Sequence, residues 1–263
     1  MVIYMKSISF LLTVLLLGLG ICYAQDNTAQ EEQKLEKYLE KYEQKISSES
    51  LPQYWYLKDP KPSYNLFYEL LTTIKEQKDL LVLVDKKHAL SKDYTPAQLE
   101  EIKTPYDTRT FKLTSQTVDA LKRLMADAKK EGLNIYPVSA YRTFQYQKRL
   151  YDNSVKKNGQ EHANKYSALP GHSQHHLGTA VDFNDVEVRF ENTKEFAWLK
   201  NNAGKYGFSL SFPKGQEDIT GYAYEPWHFR YIGNEAVIMQ DIFFEGSQQK
   251  MLEFLDKHVF TEK

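Results

Sequence analysis

Pro170-Gly171-His172-Ser173-Gln174-His175-His176-Leu177-Gly178-Thr179-Ala180-Val181-Asp182 holds three of the chain's seven histidines, with a carboxylate at its end. A turn at Leu177-Gly178 leads into a short apolar strand over 180–184. Across that turn His175 and Asp182 can face one point. The second concentration of such residues is Glu225-Pro226-Trp227-His228-Phe229-Arg230, which reads as a strand over 227–231. A catalytic zinc site needs three N or O ligands from the protein and one open position. His175 and Asp182 supply two, and His228 closes the set from a neighbouring strand. Glu225, three residues earlier, is placed to act as general base and then to pass the proton to a leaving amine. The plainer alternative is a polar loop of surface histidines. His172 and His176 are expected to be non-ligands, because two adjacent histidines rarely bind one metal.

Outward from these motifs, helices and strands mix without regular alternation. Leu66, Phe67, Leu70, Leu71 and Ile74 recur at helical spacing, and 80–84 is a short apolar run that reads as a buried strand. A helix starts near Ser115, carries Val118, Leu121, Leu124, Met125 and Ala128, and stops before Gly132. Strands follow over 135–139 and 208–211. Further helices cover 143–158, 194–205, 234–243 and 248–258. The pattern predicts an α+β fold: a central, mostly antiparallel sheet flanked by helices, with a helical N-terminal extension.

Composition narrows the function. The chain has 263 residues, enough to bury a substantial core. Its 34 Lys+Arg against 35 Asp+Glu exclude a cationic nucleic-acid binder. One cysteine, Cys22, removes disulfide frameworks, multi-cysteine zinc sites and iron–sulfur clusters. That cysteine lies in a secretory-signal pattern. Lys6 precedes an uncharged stretch over 7–25, and Cys22-Tyr23-Ala24 puts small residues at −3 and −1 of a cut after Ala24. The reading is a signal peptide over 1–24, a polar helical extension or stalk over 25–76 and a catalytic domain over 77–263. An exported protein of the periplasm or cell envelope follows. Membrane attachment would come only through an uncleaved signal or a lipid anchor. After cleavage no cysteine remains, which excludes a thiol nucleophile.

Four segments in order carry a resemblance. Ser173-x-His175-x-x-Gly178-x-Ala180-x-Asp182 and Glu225-x-Trp227-His228-x-Arg230 resemble the zinc D-alanyl-D-alanine carboxypeptidases, in the branch of the vancomycin-resistance D,D- and the L,D-carboxypeptidases. Val138-Ser139-Ala140-Tyr141-Arg142-Thr143, with Gln147, and Lys205-Tyr206-Gly207-Phe208 are similar to further segments of that family. The resemblance spans roughly 80–233. It implies one Zn²⁺ per chain on His175, Asp182 and His228, with Glu225 as general base and acid. It also implies Arg142 as stabiliser of the oxyanion, and Ser173 and Gln147 as holders of the substrate's C-terminal carboxylate or adjacent peptide. Ser173 could instead orient the zinc loop, and Arg142 could form a structural salt bridge. The implied substrate is a peptidoglycan stem peptide losing its terminal D-alanine.

This sequence departs from the family's pattern at Ala140, Gln174, Asp85, Ser211 and Phe212. Gln174 stands where a glutamate is common. Rival chemistries are weak. Ser154-x-x-Lys157 and Ser211-x-x-Lys214 lack the Ser-Asp-Asn and Lys-Thr-Gly segments of serine carboxypeptidases. A non-catalytic protein that holds zinc and cell-wall peptide has the same fold, but no need of Glu225 beside the metal.

Overall fold

The computed structural model describes residues 62–104 and 107–260. The expected signal, the polar stretch after it and its helix lie outside the described residues. Asn65–Lys263 forms one compact unit. Among the described residues no helix is long and apolar enough to cross a membrane.

Six strands occur among the described residues, and all pair antiparallel. A hairpin joins β1 (Leu99–Thr104) to β2 (Asp107–Thr114). The central sheet contains β3 (Pro137–Ser139), β4 (Ala180–Phe183), β5 (Phe208–Leu210) and β6 (His228–Tyr231), in the order β3-β4-β6-β5. The α+β expectation with an antiparallel sheet is therefore met.

Strand alternation divides the sheet into a core face and a site face. Val181, Phe183, Phe208 and Phe229 point into the core and are fully buried or nearly so. Phe183 meets Phe208 and Phe229 edge-on, at ring centroids 6.2 and 5.6 Å apart. Each such ring contributes about 1.5–3 kcal/mol by leaving water. The helix α1 (Pro62–Lys75) precedes the hairpin, and α2 (Ser115–Lys130) follows it. Val118, Leu121, Leu124 and Ala128 repeat at three- and four-residue steps along α2 and are completely buried against the sheet's core face. Register on the other face lines up Ser139, Asp182 and His228, because Ser139 pairs with Asp182 and Asp182 with His228.

α3 (Phe144–Asn158) begins at Thr143, whose side chain accepts from Tyr146 N, and ends at Gly159. α4 (Gln160–Tyr166) follows. α5 (Lys194–Asn202) continues into a 3-10 turn, Ala203–Tyr206, where a single longer helix was expected. A short α6 (Glu217–Thr220) precedes the second motif. α7 (Asn234–Phe243) and α8 (Gln248–His258) have the expected bounds. Phe67 on α1 packs edge-on against Phe243 of α7, at 5.0 Å. Thus α1 from Asn65 onward, grouped by sequence with the extension, belongs to the compact unit.

One expected strand is absent. Residues 80–84 pair in no sheet, although Leu81, Leu83 and Val84 are buried. Leu80 and Val82 are half-buried, and their carbonyls accept from Arg230 Nη2 at 2.8 and 2.9 Å. A guanidinium replaces the ladder that a strand would need.

Candidate functional site

The first motif folds as a tight reversal. Ser173 caps the 3-10 turn Gln174–Leu177, its Oγ accepting from His175 N at 3.3 Å. Gly178 closes the turn at φ +67, and a Cβ there would lie 3.0 Å from Leu99 and 3.1 Å from Pro96. Glycine is thus required both for the left-handed backbone and for the close approach of the β1–β2 hairpin. The chain then enters β4, carrying Asp182 back beneath His175.

His175, Asp182 and His228, all buried, offer one ligand atom each within 4.8 Å of one another. His175 Nε2 lies 3.2 Å from Asp182 Oδ2, and His228 Nδ1 lies 3.0 Å from Asp182 Oδ1. The far nitrogen of each ring is engaged. His175 Nδ1 is 2.7 Å from Ala140 O, and His228 Nε2 is 3.0 Å from Gln174 Oε1. His175 Nδ1 faces a carbonyl and therefore donates, which leaves the lone pair of the neutral ring on its inward Nε2, while the roles of the two His228 nitrogens follow the turn of the Gln174 amide. Burial, with Arg142 adding to it, lowers the His175 pKa to about 4, so the imidazole is neutral at physiological pH. Burial alone would raise Asp182, but His175, His228 and Arg142 together hold it well below the usual carboxylate range. Two imidazoles and one carboxylate, all buried and converging on one point, suit Zn²⁺.

Glu225 stands over this group. Its Oε2 is 3.8 Å from His228 Nδ1, and its side chain is 13% exposed. Burial pushes its carboxyl up to about 8, helped by Asp182 and opposed by Arg142. Arg142 lies on the loop between β3 and α3. Its Nη2 donates to Asp182 Oδ2 at 2.7 Å and to Ser139 Oγ at 2.8 Å. Nη1 reaches Gln147 Oε1 at 3.4 Å, and Gln147 Nε2 donates to Ala168 O at 2.9 Å. Gln147, 1% exposed, is therefore a support of Arg142. Ser173 Oγ accepts from its own turn, which leaves its hydroxyl hydrogen for another acceptor.

His172 and His176 are turned away from the cluster. His176 Nε2 accepts from Gly171 N at 3.0 Å, so its Nδ1 donates to Arg142 O at 2.7 Å. His172 Nδ1 donates to Asp85 O at 2.7 Å. Together they tie the motif to the Arg142 loop and to the segment after Leu80.

Sequence reasoning missed three contributors. Ser139 accepts from Nε and Nη2 of Arg142 at 3.0 and 2.8 Å. Phe212, noted only as a departure, packs its ring 4.8 Å from that of His228. Gln174, which differs from a common glutamate, places its Oε1 3.0 Å from His228 Nε2. Nothing local in the sequence marks any of them; their importance comes from strand register and turn geometry.

A family profile described as VanY, D-alanyl-D-alanine carboxypeptidase, matches residues 110–234. The putative carboxypeptidase YodJ of Bacillus subtilis (strain 168) is 37% identical over 182 residues, 65% of this chain and 67% of that one. Among solved structures, the LD-carboxypeptidase LdcB is 35% identical with a TM-score of 0.61, covering 66% of this chain and 86% of its own. A vancomycin-resistance D,D-pentapeptidase VanY in complex with Zn(II) is 28% identical with a TM-score of 0.56, over 66% of this chain and 99% of that one.

Proposed function

Because the chain belongs to the VanY family of D-alanyl-D-alanine carboxypeptidases, we propose that it is an exported zinc carboxypeptidase removing the terminal D-alanine from peptidoglycan stem peptides. The observation that carries this reading is the convergence of His175, Asp182 and His228 within 4.8 Å, beside Glu225. The Zn(II) complex of the pentapeptidase neighbour supports the metal. Export rests on the sequence pattern over 1–24.

When bound by His175, Asp182 and His228, Zn²⁺ supplies Lewis acidity, polarising the scissile carbonyl and lowering the pKa of the attacking water. Glu225, in the carboxylate form that a cation held beside it would favour, takes one proton from that water as its oxygen bonds to the carbonyl carbon. Glu225 then returns the proton to the nitrogen of the departing D-alanine as the C–N bond breaks. Arg142 directs its guanidinium at the carbonyl oxygen while negative charge builds there, and needs no reorganisation because Ser139 and Gln147 already hold it. Ser173 offers its hydroxyl hydrogen to the substrate's C-terminal side, and Gln147 acts on substrate through Arg142.

The test is incubation of the zinc-loaded protein with defined tri-, tetra- and pentapeptide stems, with products identified by mass. Release of a single D-alanine from the pentapeptide marks D,D-cleavage, and from the tetrapeptide L,D-cleavage. A chelator should abolish either. If no stem loses D-alanine while zinc is bound, the reading is wrong.

A further inference from the structure

The ring nitrogen of His228 that faces away from the cluster opens a chain of amides leading to the C-terminal helix. His228 Nε2 donates to Gln174 Oε1 at 3.0 Å. Gln174 Nε2 donates to Gln248 Oε1 at 3.3 Å, and Ser211 Oγ donates to the same oxygen at 3.2 Å. Every member is buried: Gln174 is 5% exposed, Gln248 1% and Ser211 2%. Gln248 is the first residue of α8, which Ser247 caps through Lys250 N. Its neighbour Gln249 donates to Asp85 Oδ2 at 2.6 Å, which fixes the first turn of α8 against the rest of the unit.

A glutamine amide is directional, with an acceptor at one end and donors at the other. Gln248 turns its oxygen towards Gln174 and Ser211 while its own Nε2 is without a hydrogen-bond partner, and Gln174 turns its NH₂ towards that oxygen and its own oxygen towards His228. That oxygen accepts only from an N–H, so Nε2 of His228 is the protonated nitrogen and Nδ1 keeps its lone pair. An amide turned the other way would put a donor against Nε2 and move the proton to Nδ1, the nitrogen beside Asp182.

We infer that Gln174 and Gln248 are positioning residues, which together hold His228 in the tautomer that presents Nδ1 to the metal. The helix α8, outside the 110–234 stretch that matches the family profile, is by this route part of the metal centre. The inference rests on the zinc reading above. Supporting residues of this kind, bonded to a metal-ligating histidine, typically change metal affinity 10–100-fold. Buried amides need partners in any protein, so a merely structural pair would also be costly to cut. What separates the two cases is that the positioning role follows the acceptor at Gln248 and is read out in zinc affinity.

Zinc affinity is measured on the full chain by competition with a chromophoric chelator, for wild type, Gln174→Leu, Gln248→Leu and Gln248→Glu. The Leu variants should bind zinc about 10–100-fold more weakly. Gln248→Glu keeps an oxygen for Gln174 and Ser211 and should bind close to wild type. Should Gln248→Leu not fold, Gln248→Asn, which withdraws the oxygen by one methylene, replaces it with the same expected direction. Nitrogen-15 spectra of histidine-labelled, zinc-loaded protein should show His228 with its proton on Nε2. A wild type that binds no zinc would end the zinc reading itself. A wild type that binds zinc, with Leu or Asn variants of equal affinity or with His228 coordinated through Nε2, would end this inference alone.

Discussion

Arg142 Nη2 lies 2.7 Å from Oδ2 of Asp182, the same oxygen that faces His175 Nε2. The proposed oxyanion stabiliser and a proposed metal ligand thus share an atom. A guanidinium placed so holds Asp182 ionised and in position, while Ser139 and Gln147 keep its fork in place.

Loss of that fork should show in turnover more than in metal content. Arg142→Ala is expected to lower kcat/KM by about 10²–10³-fold, the scale for one oxyanion donor. Arg142→Lys should recover little, because a point charge cannot serve Ser139, Asp182 and the substrate together. Steady-state kinetics on a D-alanine-terminated peptide, beside metal analysis, test this. Full activity in Arg142→Lys would make Arg142 a simple counter-charge.

Replacing His175, Asp182 or His228 with Ala should release zinc and reduce hydrolysis to background. His176→Ala should keep the metal. It should lose about 1–3 kcal/mol of stability, since Gly171 N and Arg142 O lose a buried partner. Metal content and thermal unfolding of the four proteins separate the roles. Zinc lost only from His176→Ala would transfer the ligand role to that residue.

Glu225→Gln preserves size but cannot accept a proton. Zinc should remain near one per chain while kcat falls by about two or more orders of magnitude. A variant that turns over at the wild-type rate would remove Glu225 from the proposed chemistry.

The pH dependence of stability should include Asp85. Burial raises its pKa, but bonds from Lys87 N, Gln249 and His88 outweigh this and hold it below the ordinary aspartate value. A lowered folded pKa gives stability that is complete above the unfolded pKa and is lost as pH falls through the folded one. Asp85→Asn should therefore cost about 1–3 kcal/mol at pH 7 and should narrow the gap to wild type below pH 4. Unfolding curves across pH 2–7 check this. A constant gap would mean that the carboxylate's charge has no part in anchoring the segment.

The two motif strands and helices α2, α7 and α8 were legible because hydrophobic spacing and glycine stops agreed there. Leu81 to Val84 misled because an apolar run reports burial and not the partner of its carbonyls; Arg230, about 150 residues on, decides that. The β1–β2 hairpin went unread because Glu100, Glu101 and Lys103 break the apolar alternation of an edge strand. His175, Asp182, His228 and Glu225 stood out by residue type. Gln174 and Gln248 did not, since a glutamine looks the same in sequence whether it is solvated or buried beside a histidine 54 residues away.

Arg230 has a consequence for dividing the protein. It is 0% exposed and takes acceptors from Leu80 and Val82, upstream of the stretch that defines the family. A fragment cut at residues 110 and 234 would strip those carbonyls from a guanidinium seated next to His228 on β6, and would also remove α8. An uncompensated buried charge costs several kcal/mol, comparable with the whole stability of a small domain. The shortest independently folding piece is therefore longer than the segment by which relatives are recognised. It must begin before Leu80 and run past Gln249.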